Sequence, residues 1–407
     1  GAKWKPPENK MLLSVIIVSY NVKDYLWQCL TSLQEALRDI DAEVIVFDNH
    51  SHDETVKYLR PLFSAVKFIS CNHNLGFAKA NNHAIRQSKG KYVLLLNPDT
   101  FVAGDTIRRA LAFMEAHPQA GGAGVRMTNP DGTDAKESRR GIPTPLTAMF
   151  KFAGLCSRFP KGKRTGHYYM GWLPWDEEAK IEIISGAFFL LRRTALEQIG
   201  LLDENFFMYG EDIDLSYRLL EGGWENWYLP LRILHYKGES TQKSSFRYVH
   251  VFYKAMLIFC KKHYRGMGRL LLPLLGVAVN AKAMMAFCAV AFKKVRKNLG
   301  FVDAEIQDSF FVIHVNPDNM KKCQRLISEN GLWAEIHDAN TNFLNATLPH
   351  KKSQRTYITF DAMAFSYADM LSVMYDYYEG RALIAVYYPN EDMIITEHET
   401  IKRKTWM

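Results

Sequence analysis

The first hundred residues alternate short apolar runs with amphipathic stretches, and this alternation constrains the fold more than any other feature of the chain. Apolar runs of this length predict buried strands, and the stretches between them predict helices. In chain order the predicted elements are strand Leu12 to Ser19, helix Asp24 to Leu37, strand Glu43 to Phe47, helix Thr55 to Leu62, strand Val66 to Ser70, helix Phe77 to Ser88 and strand Tyr92 to Leu96. Continuous apolar strands joined by helices are typical of an α/β fold with a mostly parallel sheet and helices on both faces. Any ligand is then expected at the carboxyl ends of the strands.

The rest of the chain predicts a continuation of this unit and a separate C-terminal unit. Residues 121 to 180 are rich in Gly, Pro, Arg and Lys, which predicts loops around a site. An apolar stretch, Ile181 to Leu191, then leads through a helix to an acidic cluster. A further α/β pattern runs from Ser309 to Met407. Its predicted strands are Phe310 to Val315, Trp333 to Ile336, Tyr357 to Phe360, Leu383 to Tyr388 and Met393 to Thr396, and its predicted helices are Met320 to Ser328 and Tyr367 to Tyr378.

Length and composition indicate a globular chain of more than one domain. The 407 residues exceed one ordinary core, since domains average roughly 150 residues. The chain has 48% hydrophobic and 23% charged residues, which is typical of globular proteins. Its six cysteines include no C-x-x-C pair, which favours a reducing compartment over a disulfide framework or a zinc site. The N-terminus shows no positive stretch followed by an apolar run, so no secretion signal is expected.

The net charge of +8 is concentrated in one segment, because residues 240 to 302 contain twelve Lys and Arg and no Asp or Glu. A basic segment that flanks an apolar one favours peripheral contact with an anionic membrane over nucleic acid, and no nucleic acid is expected. Within it, residues 270 to 292 are apolar, but Pro273, Asn280 and Lys282 interrupt the stretch and basic clusters lie on both sides. This pattern predicts a segment that lies in the membrane interface rather than spanning it. A helix packed against the first unit or a subunit is the alternative.

Polar residues follow each strand of the first predicted sheet and are candidates for binding a nucleotide. These candidates are Ser19, Tyr20, Asn21, Asp48, Asn74, Gly76 and Lys79. Tyr20 offers a face for stacking, Asp48 can accept hydrogen bonds from a base or ribose, and Gly76 lets backbone approach closely. Ordinary turn and N-cap chemistry is the alternative for such residues, above all for Asn49, Ser51 and Asn74.

The strand Tyr92 to Leu96 ends in Asn97, Pro98 and Asp99, where a carboxylate suits a divalent cation that bridges a diphosphate. Mg²⁺ and Mn²⁺ prefer hard oxygen ligands and often use one or two protein carboxylates plus phosphates. The same tripeptide recurs at 316 to 318 without companion motifs, where it predicts turn chemistry alone. The surrounding motifs, rather than the tripeptide, therefore carry the metal prediction.

A second acidic cluster, Glu211, Asp212 and Asp214, begins an apparent helix. Simple capping of the helix dipole explains such a cluster equally well. A carboxylate with restricted solvation is also the usual general base for activating a hydroxyl, which makes Glu211 and Asp212 candidates. His235 follows further along the chain, and its imidazole could either complete a metal shell or be structural.

Taken together, these motifs resemble the family 2 glycosyltransferases, and most of all their bacterial rhamnosyltransferase-like branch. The motifs that carry the resemblance are SVIIVSYN at 14–21, VFDNHSHDET at 46–55, NLGFAKANN at 74–82, NPDT at 97–100, GAFFLLRR at 186–193 and GEDIDL at 210–215. The resemblance extends over about residues 10 to 265 and implies a GT-A fold, a nucleoside-diphosphate sugar donor, Mg²⁺ or Mn²⁺, and inversion at the anomeric carbon. Asp99 matches the last acid of the family's metal motif, Asp212 its catalytic base and His235 its late histidine. Asn97 departs from the pattern, since many relatives carry a second Asp there.

The sequence patterns and the resemblance together predict a domain plan, and the resemblance implies a reaction. A catalytic domain is expected at 10–240, with a nucleotide-sugar half at about 10–100 and an acceptor half at about 101–240, then a basic helical, membrane-associating segment at 241–300 and an accessory α/β domain at 301–407. Asp212 would take the proton of the attacking hydroxyl, while a metal on Asp99 and His235 would stabilise the leaving diphosphate. Arg139 and Arg140, with Asp214, are candidates for binding the acceptor or a phosphate. A solvated loop is the alternative for the two arginines.

The predicted function is an inverting hexosyltransferase of cell-envelope polysaccharide biosynthesis in a bacterium. It would transfer rhamnose or another hexose to a saccharide or polyprenyl-linked acceptor, at the cytoplasmic face of the plasma membrane. The alternative is a non-catalytic sugar-nucleotide-binding or assembly subunit, which would not need Asp99, Asp212 and His235 together. A nucleotidyltransferase is disfavoured because no glycine-rich, lysine-containing loop lies near the first strand. For residues 301–407, which show no site of their own, the hypothesis is docking of a partner enzyme or assembly of a homo-oligomer.

Overall fold

The computed structural model describes residues 11–144, 154–237, 246–264, 308–340 and 354–403, together with positions 147, 150, 284 and 348. Within these ranges the chain forms two β-sheets with flanking helices. The α/β class predicted from the sequence is confirmed, including a second, smaller sheet near the C-terminus.

The first half of the larger sheet is the parallel unit that the sequence predicts. Its elements are β1 Leu13–Ser19, α1 Lys23–Ala36, β2 Ala42–Asp48, α2 Thr55–Leu62, β3 Val66–Ser70, α3 Phe77–Gln87 and β4 Tyr92–Leu96. The strands lie in the order β3-β2-β1-β4, and all neighbours are parallel. The predicted boundaries are confirmed to within about one residue. The pattern is easy to recognise because β1 and β4 are buried along their whole length.

The second half of the sheet contains antiparallel strands. Its elements are β5 Thr100–Val102, α4 Thr106–Ala116, β6 Ala120–Thr128, α5 Leu155–Arg158, β7 Ala179–Ile181, β8 Phe188–Arg192, α6 Arg193–Ile199, α7 Glu211–Glu221 and β9 Glu225–His235. The sheet continues in the order β4-β8-β6-β9-β5, with β7 beside β9. Strand β8 is antiparallel to both β4 and β6. The residues before β8 therefore lie at the same edge as the carboxyl end of β4.

The prediction of loops for residues 121 to 180 is wrong for their first part, because β6 is a fully buried strand. It begins with the small residues Ala-Gly-Gly-Ala-Gly, which lack the β-branched side chains that signal a strand. Packing requires them to be small. A Cβ atom on Gly121 would lie 2.6 Å from Cβ of Trp224, and one on Gly122 would lie 2.7 Å from the ring of Phe189. In β6, small residues that let Trp224 and Phe189 pack closely thus take the place of the β-branched residues that usually signal a strand.

The C-terminal part forms the predicted smaller sheet. Its elements follow a helix, α8 Phe246–His263, and are β10 Asp308–Val315, α9 Met320–Asn330, β11 Trp333–Asp338, β12 Gln354–Asp361, α10 Tyr367–Tyr378, β13 Leu383–Tyr388, β14 Met393–Ile395 and β15 Thr400–Lys402. The strand order is β11-β10-β12-β13-β14-β15, with the first four strands parallel. The turn after β10 confirms simple turn chemistry, because the Asn316 side chain accepts a hydrogen bond from the Asp318 amide at 3.1 Å.

The smaller sheet packs directly on the larger one. One hydrophobic cluster contains Leu33 and Phe101 of the first unit together with Tyr367 and Met370 of α10. Gln28 donates a hydrogen bond of 2.7 Å to the buried Tyr388 hydroxyl. The shared cluster means that the two units stabilise each other. The boundaries predicted at residues 240 and 300 stay predictions.

The central part of the basic segment lies outside the described residues. Helix α8 covers its first part, while positions 265–283 and 285–307, and with them the predicted interface segment at 270–292 apart from position 284, are not described. In the part of the chain that is described, no helix is both long enough and apolar enough to cross a membrane.

Candidate active site

The carboxyl ends of β1 and β2 hold the first group of candidate donor residues side by side. Ser19 pairs with Asp48 at the end of the parallel register. Ser19 is buried, whereas Tyr20, the next residue, is 37% exposed. Asp48 Oδ2 accepts a hydrogen bond from the Ser51 amide at 3.1 Å, while its Oδ1 is buried and has no hydrogen-bond partner among the described residues. A carboxylate oxygen with spare acceptor capacity beside an accessible aromatic ring is suited to bind a nucleoside.

Side-chain hydrogen bonds join the loops that follow β1, β2 and β3. Asn21 Oδ1 accepts from the His52 amide at 2.7 Å. Asn49 Oδ1 accepts from the Leu75 amide at 2.8 Å, and its amide group donates to Asn74 Oδ1 at 2.9 Å. These bonds fix the shapes of the loops, as turn residues do. The hydrogen-bonded loops thereby fix the backbone around Asp48 and Tyr20.

Gly76 connects the donor side to the segment that precedes the acidic cluster. Its backbone is left-handed, with φ +80°, and a Cβ atom there would lie 2.6 Å from the carbonyl oxygen of Phe207. The Phe77 amide donates to that same oxygen at 2.7 Å. Only glycine allows this approach without displacing backbone. Lys79 lies nearby on α3 and is exposed.

Asp99 and His235 lie together, as the metal prediction requires, although they come from opposite halves of the unit. His235 Nε2 is 3.3 Å from Asp99 Oδ1 and 3.3 Å from Asn97 Nδ2. The antiparallel pair β5 and β9, in which Thr100 is opposite His235, brings them together. The side chains of Asp99 and His235 are only 9% and 12% exposed. Two potential ligands thus converge at the carboxyl end of β4.

This pair fits a divalent cation that takes its other ligands from a diphosphate. Within the described ranges, no group of three or more His, Cys, Asp or Glu residues could hold a metal ion by itself. Mg²⁺ and Mn²⁺ commonly use one or two protein ligands and complete their shells with phosphate oxygens and water. A carboxylate with an imidazole beside it suits Mn²⁺ in particular, which accepts nitrogen as well as oxygen donors. The residues present are therefore compatible with a metal that arrives with its nucleotide.

A strained turn places the acidic cluster. Tyr209 and Gly210, directly before α7, both have left-handed backbones, with φ of +65° and +86°. Such a conformation in a non-glycine residue costs on the order of 1–3 kcal/mol and is common at functional sites. The turn starts α7 at Glu211, so that Asp212 faces the residues before β8.

Asp212 is held by a buried cation and by a backbone amide. Its Oδ2 accepts hydrogen bonds from Arg140 Nη2 at 2.5 Å and from the Gly186 amide at 3.1 Å. Its Oδ1 accepts from the Ile213 amide at 2.9 Å. The Arg140 and Asp212 side chains are each 14% exposed. The carboxylate is thus fixed in orientation while Oδ1 keeps lone-pair capacity for a proton.

Glu211, the neighbouring acid, lies in a different environment. Its carboxyl group is buried, and Oε2 has no hydrogen-bond partner within the described part of the chain. Burial raises the pKa of Glu211 to about 8, with a further contribution from the negative charge of Asp212. Glu211 is therefore mainly protonated at pH 7. One carboxyl group beside a guanidinium and one that is buried with an oxygen left without a partner in the described residues are suited to different roles.

The remaining candidates do not share one location. Arg139 is buried, with its guanidinium 3.5 Å from the centroid of the Trp175 ring and donating to the Leu173 carbonyl. Since Arg139 and Arg140 are both buried, the alternative of a solvated loop is wrong. Asp214 is fully buried in an ion cluster that joins α7 to α8. Its carboxylate oxygens lie 2.8 Å from Arg218 Nε, 2.8 Å from Lys262 Nζ and 2.7 Å from His263 Nε2.

Sequence reasoning missed one ion pair at the edge of the site. Lys237 Nζ lies 2.6 Å from Glu137 Oε1. Burial alone would raise the pKa of Glu137, but the Lys237 ammonium outweighs burial and holds that pKa at about 2. Lys237 is two residues after His235, so the pair fixes the end of β9. Nothing in the local sequence around Glu137 signals this partner.

One cavity among the described residues lies away from the candidate site. A space of about 560 Å³ opens between α1, α2 and the loops after β12 and β13, and its lining includes Trp27, Tyr367 and Tyr388. None of the candidate site residues lines it. The chemistry-bearing residues are instead spread along the strand ends of the larger sheet.

A family model described as glycosyl transferase family 2 matches residues 14–200. The N-acetylglucosaminyl-diphospho-decaprenol L-rhamnosyltransferase of Mycobacterium tuberculosis is 30% identical over 270 residues, which cover 63% of this chain and 87% of that protein. The rhamnosyltransferase WbbL of Escherichia coli is 25% identical over 259 residues, which cover 58% of this chain and 92% of that protein.

The crystal structure of TarS from S. aureus aligns with a TM-score of 0.43 and 19% identity, over 64% of this chain and 41% of that chain. A mannosyltransferase from Pyrobaculum calidifontis, in complex with GDP-Man and Mn²⁺, aligns with a TM-score of 0.43 and 16% identity, over 71% of this chain and 81% of that chain.

Proposed function

Because the chain belongs to the family 2 glycosyltransferases, we propose that it transfers a hexose from a nucleoside-diphosphate sugar to a hydroxyl group of a saccharide or lipid-linked acceptor, with inversion at the anomeric carbon. The chain is a glycosyltransferase, and family membership favours an enzyme over the non-catalytic subunit. The observation that carries the specific proposal is the placement of two acidic centres, Asp99 with His235 and Asp212 with Arg140, along one edge of the larger sheet.

The donor binds, in this proposal, at the carboxyl ends of β1 to β4. Tyr20 stacks on the base or ribose, and Asp48 accepts hydrogen bonds through Oδ1. Ser19, Asn21, Asn74 and Gly76 shape the loops around the nucleotide. Lys79, which is exposed on α3, supplies positive charge at the periphery.

Asp99 and His235, with Asn97 beside them, hold Mg²⁺ or Mn²⁺ together with the diphosphate. The bound metal would act as a Lewis acid that stabilises negative charge on the leaving diphosphate. The low exposure of both side chains supports this assignment, because charge stabilisation is stronger where water is excluded.

Asp212 acts as the general base in this proposal. The acceptor hydroxyl attacks the anomeric carbon from the face opposite the diphosphate, its proton passes to Asp212 Oδ1, and the bond to the nucleoside diphosphate breaks. Single displacement of this kind inverts the anomeric configuration. Arg140 and the Gly186 amide keep Asp212 oriented, while protonated Glu211 does not compete for the proton.

We propose a polyprenyl-linked or polysaccharide acceptor of the cell envelope, and a bacterial source. The relatives named above act on a decaprenol-linked acceptor in one case and carry a rhamnosyltransferase name in both. The basic segment at 240 to 302 would hold the enzyme at the anionic inner face of the plasma membrane, where such an acceptor resides. Rhamnose is the first sugar to test.

Thermal stabilisation tests the donor site directly. Wild type, Asp99→Ala and Asp105→Ala are heated with UDP, GDP, dTDP or their sugars, with and without Mn²⁺. Asp105 is a matched control, because it is an exposed acid just before α4 whose ion pair in the described part of the chain is with the exposed Arg109. We expect one nucleotide to raise the melting temperature in a Mn²⁺-dependent way in wild type and Asp105→Ala but not in Asp99→Ala. No shift in wild type with any nucleotide would refute the proposed donor site.

A further inference from the structure

The C-terminal unit holds a tight turn of the catalytic domain. After β6 the chain reverses over residues 129–133, where the Asn129 amide donates to the Thr133 carbonyl at 2.8 Å. Two backbone amides of the C-terminal unit donate hydrogen bonds to carbonyl oxygens of this turn. The Ile384 amide donates to Pro130 at 2.7 Å, and the Gly380 amide donates to Asp131 at 2.8 Å. The turn is thus bonded to the smaller sheet as well as to its own hairpin.

The contact is close as well as hydrogen-bonded. Gly132 has a left-handed backbone with φ +79°, and a Cβ atom there would lie 2.7 Å from the Met374 carbonyl oxygen near the end of α10. No side chain fits between the turn and this helix. The position of the turn is therefore set by the helix, because backbone on both sides resists displacement.

An aromatic residue of α10 adds a second contact. The Tyr375 ring lies 3.8 Å from the guanidinium carbon of Arg232 and 5.0 Å from that of Arg126. Arg126 is buried and forms a two-fold ion pair with Asp134, at 2.7 and 2.8 Å. Asp134 is the first residue after the turn. Helix α10 therefore contacts both the 129–133 turn and the Arg126–Asp134 ion pair, which holds the residue directly after the turn.

The segment that leaves this turn reaches both halves of the candidate active site. Residues 136–140 begin with a short helical turn, which the Ser138 hydroxyl ties to β6 by accepting from the Met127 amide at 2.9 Å. Glu137 then pairs with Lys237, close to His235, and Arg140 pairs with Asp212. We name residues 136–140 the linking segment. Through the turn, this segment connects the C-terminal unit to Lys237 near His235, the proposed metal ligand, and to Asp212, the proposed base.

We propose that the C-terminal unit, residues 308–403, is a positioning element for sugar transfer, which holds Asp212 in place through the 129–133 turn and the linking segment. The inference rests on the proposed role of Asp212 as general base. A base must be within hydrogen-bond reach of the proton it takes, and a displacement of about 1 Å can lower the rate on the order of 10²-fold. Arg140, Gly132 and Tyr375 are positioning residues in this scheme, since none of them is required to touch the substrate.

A positioning role and a purely structural role predict different effects on nucleotide binding when the turn is displaced. The hydrogen bonds of residues 129–133 that the structure describes run within the turn and to Gly380 and Ile384, while the pairing of β5 with β9 holds His235 beside Asp99. Nucleotide binding is therefore expected to survive when the turn is displaced. Turnover is expected to fall through kcat, while KM for the donor stays the same. A loss of general stability would lower nucleotide binding and turnover together.

Gly132→Ala tests the proposal, with Gly331→Ala as the matched control. Both glycines have left-handed backbones, but a Cβ atom on Gly331 meets nothing within 4 Å. Three quantities are measured on the full chain: thermal stabilisation by UDP, GDP and dTDP with Mn²⁺, hydrogen exchange of peptides covering 134–141, and release of nucleoside diphosphate from the corresponding sugars with water as acceptor. For Gly132→Ala we expect at least tenfold faster exchange in 134–141, at least a tenfold lower kcat, and an unchanged nucleotide shift. For Gly331→Ala we expect none of these changes.

A second pair of variants keeps the test decisive if Gly132→Ala does not fold. Tyr375→Ala removes the ring over Arg232, and Tyr375→Phe restores it. We expect the same changes in Tyr375→Ala and rescue in Tyr375→Phe. Unchanged exchange in 134–141, or faster exchange with unchanged kcat, overturns the positioning role. Absence of a nucleotide shift in wild type instead counts against the proposed donor site, and the exchange measurement still decides whether the C-terminal unit holds the linking segment.

Discussion

The guanidinium of Arg140 lies 2.5 Å from the carboxylate of Asp212, although 72 residues separate the two in sequence. Both side chains are largely buried, so the pair is screened little by solvent or salt. A carboxylate that is hydrogen-bonded to a fixed guanidinium keeps one orientation. This relationship supports the proposal that Asp212, rather than Glu211, is the base.

Replacement of Arg140 by alanine is expected to lower both activity and stability. Asp212 would lose its cation, and an unpaired buried charge costs about 3–5 kcal/mol. We expect at least a hundredfold lower kcat for release of nucleoside diphosphate. Arg140→Lys, which keeps the charge, should retain more activity than Arg140→Ala. Arg109→Ala, which removes an exposed pair with Asp105, should leave kcat and stability unchanged. An unchanged kcat in Arg140→Ala would show that Arg140 does not position Asp212.

The two adjacent acids are expected to respond differently to amide substitution. Asp212→Asn removes the proton acceptor, and general base catalysis typically contributes about 10²–10⁴-fold. Glu211→Gln replaces a carboxyl group that is already mainly protonated by a neutral group of similar shape. We expect Asp212→Asn to lower kcat by at least a hundredfold and Glu211→Gln by less than tenfold, with nucleotide-induced thermal shifts preserved in both. The reverse ranking would assign the base to Glu211.

Glu211 is also expected to make stability depend on pH. Its pKa is raised from 4.5 to about 8 in the folded chain, so the folded state keeps a proton that the unfolded state loses as the pH rises. Stability therefore falls between about pH 4.5 and pH 8 because of this group. Glu211→Gln removes the dependence. Melting temperatures at pH 5 and pH 8 should differ less in Glu211→Gln than in wild type, and equal differences would contradict the buried, protonated state.

Much of the fold could be predicted from the sequence because its strands are apolar throughout. Strands β1 and β4 are buried along their length, so Ser19 at the end of β1 and Asp99 shortly after β4 could be located from that pattern. Strand β6 could not be recognised from the sequence, because it contains glycines where a β-branched residue would be expected. Glycine is needed there because Trp224 and Phe189 occupy the space that a side chain would take. Those contacts depend on residues that are distant in sequence.

Site residues that belong to a recognisable motif could be predicted from the sequence. Contacts between residues that only the tertiary structure brings together could not. Asp99 and His235 could be paired in advance because the resemblance to the family implies a metal at both residues. Arg140 and Asp212 could not, since an arginine in a loop-rich region signals only positive charge. The ion cluster around Asp214 was not predicted, because Asp214 was a candidate for binding the acceptor or a phosphate, although Arg218 follows it at the i,i+4 spacing that favours an ion pair on a helix.

Gly76→Ala is expected to disrupt the junction between the donor loop and the acidic cluster. The backbone at this position, with φ +80° and ψ 171°, lies in a region that is essentially restricted to glycine, and a residue with a Cβ atom there costs on the order of 1–3 kcal/mol. The new methyl group would also lie 2.6 Å from the Phe207 carbonyl oxygen, which accepts a hydrogen bond from the Phe77 amide, so the two loops must separate. Gly223 also has a positive φ, +85°, but a Cβ atom there meets nothing within 4 Å. We expect Gly76→Ala to lower the melting temperature more than Gly223→Ala and to weaken the Mn²⁺-dependent nucleotide shift, which Gly223→Ala should preserve. Equal melting temperatures in the two variants would mean that the contact with Phe207 adjusts freely and does not couple the donor loop to the acidic cluster.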